Sequence, residues 1–151
     1  METRIWNTDI PLPEILRQYY ERKDPGTGTV VIHAGQVKVP GKVKPAMDHV
    51  VLEPCVEDPT GGLARIGQSA LGRFEISRVQ IHHRLGRVSP GGHVLVVLVS
   101  SPKRGPAFDA CRWVVDEIKR EEVIRLVEVE QATGDEKAAR RKDDRTDQHN
   151  D

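Results

Sequence analysis

The spacing of apolar and polar residues predicts three helices and five strands. Residues 93–100 form a nearly continuous apolar run, which makes this the clearest strand of the chain. Residues 106–121 repeat apolar side chains at three- and four-residue steps, which predicts an amphipathic helix with one core-facing stripe. The other predicted helices are 10–20 and 63–71, and the other predicted strands are 29–34, 48–57, 74–83 and 123–129.

The order of these elements predicts an α+β domain. Helices and strands interleave irregularly and several strands follow one another through short turns, so we expect a mostly antiparallel sheet with packed helices. We assign residues 1–130 to this domain. Residues 131–151 are almost wholly charged and polar, which predicts a disordered tail without a core of its own.

Composition excludes several classes of function. The 151 residues contain 23 Lys plus Arg and 23 Asp plus Glu, with only 4% aromatic residues, so neither a nucleic-acid partner nor a membrane is indicated. Cys55 and Cys111 are too few and too far apart for a disulfide framework or a zinc site. Phosphate-binding glycine motifs do not occur. We therefore expect a cytoplasmic protein without a bound metal or nucleotide cofactor.

Two pairs of polar residues have plain structural interpretations. His82 and His83 are adjacent, so on a strand they face opposite sides and cannot both ligate one metal. Ser100 and Ser101 lie between a strand and a helix, but the glycines of a nucleophile elbow are absent. We expect the serines to cap or brace the turn.

Cations at three places could bind an anion. Lys103 and Arg104 directly precede the helix 106–121, where free backbone N–H groups favour phosphate or carboxylate; both could equally be ordinary surface cations. Lys119 lies about 20 Å further along that helix. The loop 35–45 contains three lysines, and it is either a solvated loop or a flap over an anionic ligand.

Several motifs together resemble the large, catalytic subunit of molybdopterin synthase. That family carries IVHRVGRL, SPHRAAAFEAC, DxLK and PIWKKE in this order, and an earlier FxGxVR. The corresponding runs here are IHHRLGRV (81–88), SPKRGPAFDAC (101–111), DEIK (116–119), VIRLVE (123–128) and IHAGQVK (32–38). The resemblance covers about two-thirds of the chain, and the SP-x-R-xx-AF-x-AC block is its most specific part.

The resemblance implies an α/β-hammerhead-like fold and a homodimer that binds two small subunits, giving a heterotetramer. The small subunit is ubiquitin-like and carries sulfur as a thiocarboxylate on its C-terminal Gly-Gly. Sulfur then passes to cyclic pyranopterin monophosphate, which is a substrate and not a cofactor, and the product is molybdopterin. The family performs this chemistry with cations that hold anionic groups and stabilise developing negative charge.

The same resemblance assigns roles to individual residues. Lys119 matches the lysine of DxLK and is the predicted catalytic cation. Arg104 matches the arginine of SPHR, and Lys38 stands at the arginine of FxGxVR; both are predicted to bind substrate.

The motifs also differ from the family at the predicted site. Lys103 replaces a histidine, and Leu126 occupies a lysine position of PIWKKE. Lys103 and Arg125 complete the predicted substrate-binding set, although Arg125 on a strand would point to the face opposite residue 126. Two hypotheses follow: a sulfur-transferring enzyme, or a non-catalytic paralogue of the same fold that binds a Gly-Gly tail or a pterin phosphate.

Overall fold

The computed structural model describes residues 1–131, which contain three helices and seven strands. In chain order these are β1 (Glu2–Trp6), α1 (Leu12–Glu21), β2 (Thr29–Gln36), β3 (Met47–Pro54), α2 (Pro59–Arg73), β4 (Arg78–Arg84), β5 (Gly86–Val88), β6 (His93–Ser101), α3 (Arg104–Lys119) and β7 (Ile124–Glu130). All five predicted strands and all three predicted helices are present, with shifted ends. The predicted tail, apart from Gln131, lies outside the described residues.

The strands form two sheets. The larger sheet has the order β1-β4-β6-β2, in which β1 runs parallel to β4 and the other pairs are antiparallel. The smaller sheet has the order β5-β3-β7 and is antiparallel throughout. This arrangement confirms the prediction of an α+β domain with mostly antiparallel sheet.

Strand β6 lies in the middle of the larger sheet and is buried on both faces. Val97 and Val99 point into the main core with α2 and α3, whereas Val96 and Leu98 pack against α1. A strand that is covered on both faces needs apolar side chains at every position, not at alternate ones. This explains the continuous apolar run of residues 93–100.

Strand β1 is a feature that the hydrophobic pattern did not predict. Strand β1 lies at the edge of the sheet, and its charged residues, Glu2 and Arg4, alternate with Thr3 and Ile5 and are exposed to solvent. Tertiary pairing holds it in place: β1 pairs in parallel with β4, and Trp6 Nε1 donates to His82 Nδ1 at 3.0 Å. Edge strands depend on such partners more than on their own composition.

Helix α2 is longer than the predicted helix 63–71, because it begins at Pro59, directly after its N-cap residue Asp58. The Asp58 carboxylate caps the helix by accepting the N–H of Gly61 at 2.9 Å, and Pro59 occupies the first turn. Leu63 and Ala70 are fully buried against the main core. Capping and burial therefore offset the low helix propensity of the glycines.

Two boundaries around β4 were also predicted incorrectly. Residues 74–77 are not part of the strand, since the Ile76 N–H donates to the Phe74 carbonyl at 2.8 Å and closes a turn. Residues 84–92, which lie between two of the predicted strands, contain β5, which pairs with β3. A three-residue strand is too short to leave a recognisable alternation in the sequence.

Helix α3 crosses the larger sheet and carries the chain from one end of it to the other. Its buried stripe packs on β6, β2 and α2 and consists of Ala107, Ala110, Cys111, Val114, Val115 and Ile118. After Lys119 the chain turns, with Glu121 at a φ of 60°, and enters β7 of the smaller sheet. The C-terminal end of α3 thus lies where the two sheets meet.

Within residues 1–131, the helices lack the length and apolar character needed to cross a lipid bilayer.

Gly28 and Gly72 provide a matched test of the packing. A Cβ at Gly28 would lie 2.3 Å from the backbone oxygen of Pro102, whereas among the described residues nothing lies within 4 Å of a Cβ at Gly72 in α2. Gly28→Ala should therefore lower the free energy of unfolding by about 1–3 kcal/mol. Gly72→Ala should raise it by about 0.5–1 kcal/mol, because alanine is the better helix former. Urea unfolding followed by circular dichroism measures both, and similar effects of the two changes would contradict the close approach at Gly28.

Candidate functional site

A cavity of about 540 Å³ lies where the end of α3 meets both sheets. Its polar lining contains cations, histidines, carboxylates and one amide: His33, Gln36, Lys38, Lys42, His83, Lys119, Glu121 and Glu128. The remaining lining is mostly apolar: Gly35, Val37, Pro40, Met47, Val50, Leu52, Val94, Leu95, Ile118, Ile124 and Leu126. A largely apolar cavity with a few charged groups is typical of a site for a small ligand.

Lys119 and Lys38 line this cavity together, although they come from motifs that are far apart in the chain. Lys119 is the last residue of α3, and Lys38 follows the end of β2. Because α3 packs along β2 and β6, its C-terminal end is brought over the end of β2. Two of the predicted site residues therefore share one cavity.

The loop after β2 is tied to β7 by a carboxylate. Glu128 accepts the backbone N–H groups of Lys42, Val43 and Lys44 at 2.7, 2.8 and 2.7 Å. These hydrogen bonds, that of Lys44 first, hold the pKa of the Glu128 carboxyl below its usual range. The anchored loop places Lys42 at the cavity. Lys42 was not among the predicted site residues, although the lysine-rich loop was recognised as a possible flap.

Two histidines line the cavity without any sequence signal that marked them as site residues. His83 is bound to the Arg84 carbonyl through Nδ1 at 2.8 Å, and burial lowers its pKa. Burial and, secondarily, the positive charge of Lys119 lower the pKa of His33. Both rings are therefore neutral at neutral pH, because each pKa lies below the ordinary value of histidine.

His82 faces the other side of the sheet, as its position next to His83 predicted. Its ring contacts Trp6 and Gln80, at 3.0 and 3.1 Å, and burial lowers its pKa to about 4. This histidine is a packed, hydrogen-bonded part of the interior. Among residues 1–131, no group of three or more His, Cys, Asp or Glu side chains is placed to hold a metal ion.

Lys103 and Arg104 lie at the opposite end of α3 from Lys119. The helix has 16 residues from Arg104 to Lys119, so roughly 22 Å separates its two ends at 1.5 Å per residue. Neither cation lines the cavity described above. Ser101 braces this turn, as predicted, since its Oγ accepts the Lys103 N–H at 3.1 Å and donates to the Glu75 carbonyl at 2.7 Å.

The alternation along β7 separates Arg125 from Leu126. Leu126 lines the cavity, whereas Arg125 lies on the other face and binds Glu53 of β3, with Nη2 and Oε2 2.7 Å apart. Glu53 and Arg125 are also opposite each other in the β3–β7 register. The described structure thus contains no local shift that would turn Arg125 into the cavity.

Known proteins with similar sequences belong to one family. Residues 6–121 match the model of a family described as MoaE protein. A relative named molybdopterin synthase catalytic subunit, from Pyrococcus abyssi, is 35% identical over 94 residues. That alignment covers 62% of this chain and 63% of the relative, so it spans less than two-thirds of the relative's own length.

Solved structures with the same fold are also found. Molybdopterin synthase from Staphylococcus aureus superimposes with a TM-score of 0.73 at 23% identity, covering 85% of this chain and 91% of that one. A complex of subunits 1 and 2 of the molybdopterin-converting factor from Helicobacter pylori gives a TM-score of 0.70 at 14% identity, covering 87% and 86%. At these identities the two structures establish the fold.

The anchoring of the loop by Glu128 can be tested by hydrogen exchange. Glu128→Gln removes the charge that accepts three backbone N–H groups, so the amides of residues 42–44 should exchange several-fold faster at neutral pH. Lowering the pH should likewise reduce the protection of these amides in the wild-type loop, measured relative to their intrinsic exchange rates at each pH. Because the pKa of Glu128 is depressed in the fold, the anchor is complete above the unfolded-state pKa and is lost as the pH falls through the folded-state pKa. Glu130→Gln, at an exposed position of the same strand, is the control, and equal exchange in both variants would exclude the anchor.

Proposed function

The chain belongs to the MoaE protein family, and on that premise we propose that it transfers sulfur in the biosynthesis of the molybdenum cofactor. The proposed reaction moves sulfur from the thiocarboxylated C-terminus of a small carrier subunit to cyclic pyranopterin monophosphate and forms molybdopterin. The chain would act as the catalytic, cytoplasmic subunit of a molybdopterin synthase.

One observation carries this proposal: Lys119 lines a cavity of about 540 Å³ together with Lys38 and Lys42. Both proposed substrates are anions, one through a thiocarboxylate and the other through a phosphate. Lysine side chains attract such groups as positive charges. The cavity therefore has the charge that the reaction requires.

The bond changes of the transfer give Lys119 a specific role. The sulfur forms a bond to a carbon of the pterin substrate, while a carbon–oxygen bond of that carbon breaks and its electron pair leaves on oxygen. The bond between the sulfur and the acyl carbon of the carrier then breaks. Water supplies the oxygen that turns this acyl group into a carboxylate, and the departing sulfur keeps the electron pair of the broken bond. Negative charge builds up on the acyl oxygen and on sulfur, where the Lys119 ammonium would stabilise it.

The proposed partner is a small subunit with a C-terminal Gly-Gly tail. A tail without side chains can approach a wall closely, and Val50, Leu52 and Leu126 provide an apolar wall for it. The complex of two subunits from Helicobacter pylori, whose fold this chain shares, supports a partner of this kind.

In a homodimer, Lys103 and Arg104 of one copy could contribute to the site of the other. Both lie roughly 22 Å from Lys119 along α3, so within one chain they cannot bind the same small substrate. In a symmetric dimer, the start of α3 of one copy could face the cavity of the other. We include this shared site in the proposal, with Arg104 of one copy binding the anion held at Lys119 of the other.

A second candidate function is supported by Leu126. Its apolar side chain lines the cavity at a position where the family motif has lysine. A cavity with fewer cations than the family pattern could still bind a Gly-Gly tail or a pterin phosphate without catalysing transfer. The chain would then be a binding protein of the same fold.

A single-turnover assay separates the two functions. The purified protein is mixed with thiocarboxylated carrier and cyclic pyranopterin monophosphate, and molybdopterin is quantified. Lys119→Ala should lower the rate on the order of 10²–10³-fold, the usual effect of removing one group that stabilises developing charge. Lys23→Ala, on the exposed turn after α1, is the control and should react like the wild type. A wild-type protein that binds the carrier but yields no molybdopterin would establish the binding function instead.

Mixing two inactive variants tests the shared site. If one copy supplies Lys119 and the other supplies Arg104, the homodimers of Lys119→Ala and of Arg104→Ala are both impaired. After subunit exchange, each mixed dimer contains one site with both cations, so activity should reappear. Failure to recover activity in dimers that have demonstrably exchanged would show that the two residues do not act in one site across the interface.

A further inference from the structure

The imidazole of His33 has an unsatisfied nitrogen beside the cavity. Nε2 is buried and has no hydrogen-bond partner among residues 1–131. Buried polar atoms are rarely left in this state, because the lost hydration is not compensated by a new hydrogen bond. Nε2 packs closely against Gly35, where a Cβ would lie only 3.1 Å from it. Because the ring also lines the cavity, an incoming group there could supply the missing partner.

The ring of His33 lies between two spaces. It lines the cavity of Lys119, and it also lines a groove of about 280 Å³ on the outer side of β2, next to Phe108 and Asp116 of α3. A group in this position contacts the interior of the site and is also close to solvent. Such a location suits a residue that takes up a proton in the site and releases it outside.

The charges around His33 favour its neutral form. Burial lowers the pKa of His33, and Lys119 is close enough for its positive charge to lower it further. Lys119 can therefore stabilise negative charge while the neighbouring imidazole remains free to accept a proton. His83 on the same cavity is less suited to this role, because its side chain is buried and does not line the outer groove that leads to solvent.

We infer that His33 is a catalytic proton acceptor of this site, a role that rests on the sulfur-transfer function proposed above. In the step that releases the carrier, the oxygen of a water molecule forms a bond to the acyl carbon, and one proton of that water moves to His33 Nε2. The acyl–sulfur bond breaks, its electron pair stays on the sulfur bound to the pterin, and the carrier leaves with a carboxyl group. The proton then leaves His33 through the outer groove.

The pattern of departures from the family motif agrees with this role. When the run 32–38 is aligned with FxGxVR, His33 occupies the phenylalanine position. Leu126, which replaces a family lysine, lines the same cavity as His33. Near the start of α3, Lys103 stands where the family motif has a histidine. Compared with the family motif, this cavity therefore gains an imidazole at His33 and loses an ammonium group at Leu126.

Substitutions at His33 distinguish proton transfer from packing. His33→Gln retains a polar side chain that cannot accept a proton at neutral pH, and His33→Phe installs the family residue. Both should slow single-turnover molybdopterin formation on the order of 10²-fold, the lower end of the usual contribution of general base catalysis. Affinity for the carrier and the melting temperature should stay near the wild-type values. His49→Gln, at a histidine that contacts Asp48 and does not line the cavity, should react like the wild type.

Chemical rescue provides the decisive readout. Added imidazole should restore part of the rate of His33→Ala, because it supplies the missing base, and should leave His33→Phe unchanged, because the ring fills the space. Wild-type rates in His33→Gln and His33→Phe, or a slow His33→Ala protein that imidazole does not accelerate, would overturn the role of His33 alone. If the wild-type protein itself forms no molybdopterin, the proposed function fails first and the inference fails with it.

Discussion

The burial of β6 on both faces is the constraint on which the rest of the structure depends. Because Val97 and Val99 face one core and Val96 and Leu98 face the other, helices must cover both sides of the larger sheet. Helix α3 covers one side and therefore runs along the sheet. Its C-terminal end, with Lys119, reaches the junction with the smaller sheet, where the cavity forms. The site is thus a consequence of how the central strand is buried.

The electrostatics of the cavity are set by a division between charged and neutral groups. Lys119, Lys38 and Lys42 supply positive charge, while burial keeps His33 and His83 neutral. Glu128 also lines the cavity, but its carboxylate is engaged by three backbone N–H groups of the loop. Its charge therefore serves to hold the loop near the site, and the lysines remain available to an anionic ligand.

The residues that differ from the family motifs lie at different places relative to the cavity. Leu126 changes the cavity itself, whereas Lys103 lies at the far end of α3 and matters to this site only through a second copy. Arg125 is the cation next to the lost lysine position, although strand alternation predicts that it points to the opposite face. In the fold it is paired with Glu53 on the outer face of the smaller sheet. Adjacent positions in a strand are thus the least able to substitute for each other.

Sequence alone determined the elements whose patterns are local, namely the apolar strand β6 and the amphipathic helix α3. It also contained the motifs that predicted Lys119 and Lys38 as site residues. It could not reveal β1, because an edge strand with charged residues depends on pairing with β4. Nor could it show that His33 and Lys42 lie at the same cavity as Lys119. Strand and helix periods state which residues share a face, but only tertiary packing decides which faces meet.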